Sequence, residues 1–168
     1  MKMKKTILFV LLSMMTCFSV MAQEQEKGPV VVETENFSVK VPKGWVVKKK
    51  STSGRICSVT LAPEVKPDVN TNFGFDLDIW SFVSKTYTVE KIIDDALHQY
   101  GENATEKKED IKFGSNVFQR TYFNEGYGSS QVLALPLKEE GALSVSVHTY
   151  SLDNKDIKAI LKSLKVNR

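Results

Sequence analysis

Between residues 37 and 41 apolar and polar side chains alternate, Phe37-Ser38-Val39-Lys40-Val41, the period of a strand with one buried face. Pro42-Lys43-Gly44 predicts a turn, and Trp45 to Lys50 a second extended segment. Ser51-Thr52-Ser53-Gly54 reads as a hairpin connection, with Lys48-Lys49-Lys50 and Arg55 making a basic tip. In the following strand Cys57, Val59 and Leu61 share a face. Residues 62–72 carry Pro63 and Pro67, show no period, and predict a loop. From Phe73 to Val83 the alternation returns. Phe73, Phe75, Leu77 and Ile79 take one face, and Asp76, Asp78, Trp80 and Phe82 the other.

At Thr88 the period changes. Thr88 stands where an N-cap belongs, and Glu90 suits the positive end of the helix dipole. Val89, Ile92, Ile93, Ala96, Leu97 and Tyr100 fall at helical spacing, with Gly101 as the C′ residue. Ala104 to Phe113 is extended and highly charged, which suits an edge strand because charge discourages further pairing. Gly114-Ser115-Asn116 turns the chain into Val117 to Phe123, and Gly126-Tyr127-Gly128 is the next connection. Ser130 to Leu137 and Ala142 to Tyr150 form a hairpin around residues 138–141. Ile157, Ile160, Leu161 and Leu164 mark a closing amphipathic helix. The order strands, helix, strands, helix, joined mainly by hairpins, predicts an α+β fold: a largely antiparallel β-sheet packed with helices.

The segment Phe37-Ser38-Val39-Lys40-Val41-Pro42-Lys43-Gly44-Trp45 resembles the opening strand and P-x-G-W turn of PsbP-like proteins. That fold is shared by an extrinsic subunit of photosystem II, a fungal Ran-binding import factor and the bacterial DcrB family with its exported relatives. The resemblance covers residues 36–166 and implies a PsbP-like α/β sandwich. It implies no activity, because members share architecture while their partners differ.

The N-terminus changes the picture of charge and compartment. Met1-Lys2-Met3-Lys4-Lys5 precedes an apolar run from Ile7, and Val20 and Ala22 supply small residues at −3 and −1. These are the parts of a secretory signal cleaved after Ala22. The run Ile7–Met21 would span only about 22 Å as a helix, short of the ~30 Å hydrocarbon core. No transmembrane segment is therefore expected in the mature chain. Lipidation of Cys17 fits poorly, since Thr16 precedes it and Phe18 and Val20 follow. Residues 23–35 read as a flexible lead-in, and 36–168 as one domain. Cleavage removes Lys2, Lys4 and Lys5, so 23 basic side chains become 20 against 20 acidic ones. A neutral domain lacks the positive field that phosphate-backbone binding needs, which argues against nucleic acid. Cleavage also leaves Cys57 as the single cysteine and rules out an intramolecular disulfide.

Candidate chemistry is sparse. Cys57 shares its face with Val59 and Leu61, the setting of a small buried hydrophobe. His98 lies off the apolar stripe of its helix. His148 shares a strand face with Ser144 and Ser146, but residues two apart on one strand stand about 6.6 Å apart, beyond hydrogen-bond reach. Two scattered histidines make no metal site. Asp76 and Asp78 read as solvated outward carboxylates. Trp80 and Phe82 continue that face: a helix is expected over this end of the sheet, and otherwise the rings form an exposed aromatic patch. Tyr127, between two glycines, is a further contact residue. With no cofactor motif, the sequence points to an exported, non-catalytic binding or accessory protein of the bacterial envelope, periplasmic or extracellular. Its interaction surface would draw on Trp80, Phe82, Tyr127, Asp76, Asp78 and His148. A periplasmic binder of a lipid, sugar or metal is the alternative, with a hydrolase third.

Overall fold

The computed structural model describes residues 25–64, 76–100, 104–125, 128–148 and 152–167. Its strands are β1 (Val30–Glu33), β2 (Phe37–Val41), β3 (Trp45–Ser53), β4 (Ile56–Pro63), β5 (Leu77–Phe82), β6 (Ala104–Phe113), β7 (Asn116–Glu125), β8 (Gly128–Pro136), β9 (Ala142–His148) and β10 (Lys165–Val166). Helix α1 (Val89–Tyr100) follows β5, and α2 (Lys155–Ser163) follows β9. Seven strands form one sheet in the order β3-β4-β5-β9-β8-β7-β6, and β1-β2-β10 form a second. Every pairing among the described residues is antiparallel, so the molecule is β-rich, with two helices laid on it.

The alternation read from the sequence decides what each face of the large sheet meets. Cys57, Val59, Leu61, Leu77 and Ile79 lie on one face with Leu143, Val145 and Leu133, all essentially excluded from water. The three-stranded sheet and α2 close over them through Phe37, Val39, Ile157, Ile160 and Leu161. Each of these large apolar side chains contributes about 1.5–3 kcal/mol by leaving water. Asn154 caps α2, its Oδ1 accepting from the N–H groups of Asp156 (2.8 Å) and Ile157 (3.3 Å). Trp45 Nε1 donates to Asp156 Oδ2 at 3.4 Å and ties β3 to this layer.

The opposite face carries α1. Ile92, Ile93 and Ala96 pack on Val132, Ala134 and Ala142, so the helix rests over β6 to β9. Thr88 Oγ1 accepts from Lys91 N at 3.2 Å. Glu90 is held below the ordinary carboxylate range, first by a backbone N–H of the opening turn and then by the Thr88 hydroxyl. Among the described residues no helix is long and apolar enough to cross a membrane.

Two expectations are corrected. The stretch 23–35, read as a flexible lead-in, holds β1: Val30 to Glu33 pair with Ser38 to Val41, and Val32 is fully buried. Val32 and Thr34 are buried there between exposed neighbours, but one lies in a run of three valines and the other is a threonine, so hydropathy shows no alternation. Lys48-Lys49-Lys50 is not a hairpin tip but the middle of β3, which runs on to Ser53. A bulge between Val47 and Lys49 re-aims the strand there, and Lys48 Nζ bonds Asp76 Oδ1 at 2.8 Å. The leader, Cys17, Phe73, Phe75, Gly101 and Tyr127 lie outside the described residues.

Candidate binding groove

Because α1 sits over β6–β9, it does not extend across β3 and β4, and the sheet face steps down at its flank. Phe82 is half-buried against the helix cluster, whereas Trp80, one pleat further from it, keeps 39% of its surface exposed. The expectation that a helix covers this end therefore holds for Phe82 and not for Trp80. The two rings are nearly parallel, 6.2 Å apart and inclined by 10°. Tyr87, in the connection to α1, stacks on Phe82 at 4.3 Å.

Strand register brings the rest of the site together. Trp80 stands directly opposite Ser58 on β4 and Ser144 on β9, and Asp78 opposite Thr60 and Ser146. Such neighbours have Cβ atoms about 4.5–5.5 Å apart. Ser144 and Ser146 thus form a polar floor beside the aromatic wall, continued by Val132 on β8. Ile92, Asp95, Ala96 and Gln99 of α1 form the facing wall. Together they enclose an open groove of ≈ 370 Å³. Ser144 and Ser146 are half-buried, and neither hydroxyl is bonded to another of the described residues. Asp95 is the one charged side chain among the described lining residues. It pairs with Lys91 one turn earlier, and that hydrogen bond and charge hold the Lys91 amine above its ordinary value.

The other candidate residues distribute as follows. Asp78 accepts from Thr60 Oγ1 at 2.6 Å, and Asp76 from Lys48, so both carboxylates are engaged by their own sheet. Among the described residues no group of three or more metal-ligating side chains gathers. Cys57 is buried, with Asn36 Nδ2 donating to its Sγ at 3.4 Å, and His98 is exposed. His148 does have a serine partner, though not along its own strand: Ser130 on β8 lies opposite it, with Oγ 3.2 Å from Nδ1. Only 5% of Ser130 is exposed, and neither residue lines the groove. Sequence reasoning weighed Ser144 and Ser146 as partners of His148. It missed Ser130, and it missed that both serines belong with Trp80.

No family model and no curated protein matches the sequence. Among solved structures, a crystal structure from Bacteroides thetaiotaomicron VPI-5482 is similar at 17% identity with a TM-score of 0.41, covering 79% of this chain. The chain spans 45% of that protein.

Proposed function

We propose that the chain is an exported, non-catalytic binding protein of the bacterial cell envelope, built on a PsbP-like α+β sandwich, and that it works through the groove between α1 and the sheet. Export is supported by the Lys2-Lys4-Lys5 leader with its apolar run and Val20-Met21-Ala22 end. The observation that carries the binding reading is the groove: a tryptophan left in solvent at the lip of a concavity floored by two unengaged hydroxyls. Its volume falls at the lower end of small-molecule sites, about 300–1,000 Å³. The Ser130–His148 pair lies outside it, which leaves the groove without a paired serine and histidine and supports binding without catalysis.

A thermal-shift screen of sugars, lipids and metals tests this. A ligand at a hundred times its Kd stabilises the folded state by about 2.7 kcal/mol, so the melting temperature rises with ligand concentration. That rise should vanish in Trp80→Ala, measured from the variant's own ligand-free melting temperature, since a side chain 39% exposed also packs on the sheet. A protein partner is the second reading, favoured by Ile56, 47% exposed and paired opposite Phe82, which extends the apolar lip. Small molecules leaving the melting temperature unmoved across the screen would shift the weight to that partner.

A further inference from the structure

Three properties of the groove narrow what it can hold. Its charge is balanced: Asp95 is the one ionised group among the described lining residues, and Lys91 is its partner. Its uncharged polar groups include the hydroxyls of Ser144 and Ser146 and the Gln99 amide, which can both donate and accept hydrogen bonds, beside the Tyr87 phenol and the Trp80 indole N–H. Its apolar wall is aromatic, with Tyr87 laid over Phe82 and Trp80 parallel to Phe82 on the outer side. We propose that the groove binds a neutral oligosaccharide, one sugar ring lying on the Trp80 indole with its hydroxyls on Ser144, Ser146 and Gln99. This rests on the groove being the binding site.

A pyranose offers the matching surface, an apolar C–H face bounded by uncharged hydroxyls that also donate and accept. The face of an indole is negative and attracts polarised C–H groups. Register supplies the polar half at the right reach, because Ser144 stands directly across the strand pair from Trp80, and Ser146 lies one pleat along on the same face. Other neutral occupants match less of this. An acyl chain would strip water from Ser144 and Ser146 and return no hydrogen bond. A polyproline helix needs slots between aromatic rings, and the 4.3 Å stack of Tyr87 on Phe82 closes that space. Charged ligands would meet no uncompensated opposite charge in the lining. Trp80 sits at the outer lip, where its row continues to Ser58 and Ser51, so a chain longer than the groove can leave along the sheet.

Tryptophan fluorescence reads the site directly, since Trp45 is only 3% exposed and acrylamide reaches mainly Trp80. The probes are cellohexaose, maltohexaose, mannohexaose and chitohexaose, with dodecanoate and decaproline as ligands of other chemistry. At least one hexasaccharide should shield Trp80 from acrylamide and shift the amide resonances of Ser144 and Ser146. Trp80→Ala, followed by those resonances, should weaken it about tenfold or more. Ser144→Ala with Ser146→Ala should weaken it roughly fivefold while the fold stays intact. If dodecanoate or decaproline occupies the groove and no sugar does, the carbohydrate inference is wrong and the binding function stands. If a sugar binds equally well to Trp80→Ala, the site is misplaced and the inference fails. If no probe touches the groove, the carbohydrate inference falls and the small-ligand reading of the groove with it, which leaves the protein partner.

Discussion

At Gly141 the backbone φ is 95°, and a Cβ added there would stand 1.9 Å from the carbonyl oxygen of Phe82. The β8–β9 turn is thus pressed against the end of β5, the point from which the chain leaves for Tyr87 and α1. Gly54 has a similar backbone, φ 52°, with nothing within 4 Å of the same position. The pair separates two costs. Gly54→Ala should lower stability by about 1–2 kcal/mol, the left-handed backbone alone. Gly141→Ala should lose more than that, about 3 kcal/mol, because neighbouring backbone must also move. Urea unfolding at constant m-value measures both, and equal losses would mean that the close approach to Phe82 is not felt. The residue scale is also where the site was half legible. Alternation alone places Trp80 in phase with Asp76 and Asp78, so its outward aim could be read from the chain. Its union with Ser144 and Ser146 could not, because β5 and β9 are far apart in sequence and only the strand order makes them neighbours. Ser130 and His148 are a different case: the predicted hairpin already joins their strands, and what local alternation does not show is the register that sets them opposite each other.

Elements were recoverable where a period had room to repeat. The strands equivalent to β2, β4 and β9, and both helices, show apolar positions every second or every third to fourth residue over five or more residues, and β8 a continuous apolar run. β10 has two residues and β1 four, too few to declare a period, yet together they frame β2. Their pairing is held by contacts no local pattern announces: Asn167 N donates to Asn36 O at 2.8 Å, and Asn167 Nδ2 to Thr34 O at 3.2 Å. Helix α2 shows the opposite case, since its apolar repeat announced it, and Asn154 just ahead of that repeat, which the repeat alone does not mark, caps it. Its amide satisfies two helix N–H groups, and α2 closes the larger core. Asn154→Ala should cost about 1 kcal/mol, and Asn154→Asp much less, because a carboxylate caps equally well. Thermal melts of the two variants at neutral pH should separate them; similar losses would show that the side chain matters through something other than the cap.

At the scale of the whole molecule the seven-stranded sheet is a partition with unequal loads. One face is sealed by α2 and the three-stranded sheet through large side chains, including Phe37, Ile157, Ile160 and Leu161. Among the described residues the other is covered over β6–β9 by α1, whose buried residues Ile92, Ile93 and Ala96 meet Val132 and two alanines, Ala134 and Ala142. Small partners bury little apolar area, so lifting α1 costs a fraction of what global unfolding costs. Since α1 is also one wall of the groove, the less stable layer is the one that holds the proposed ligand site. Native-state hydrogen exchange should therefore find Ile92, Ile93 and Ala96 opening sub-globally, with a smaller denaturant slope than Val145 and Val147 at the centre of the sheet. A ligand seated between α1 and Trp80 binds the closed form alone, so it should slow exchange in α1 by a larger factor than in β9 whenever β9 exchanges through other openings. If α1 and Val145 exchange with one free energy and one slope, the two layers unfold together and the groove wall is as rigid as the sheet it rests on.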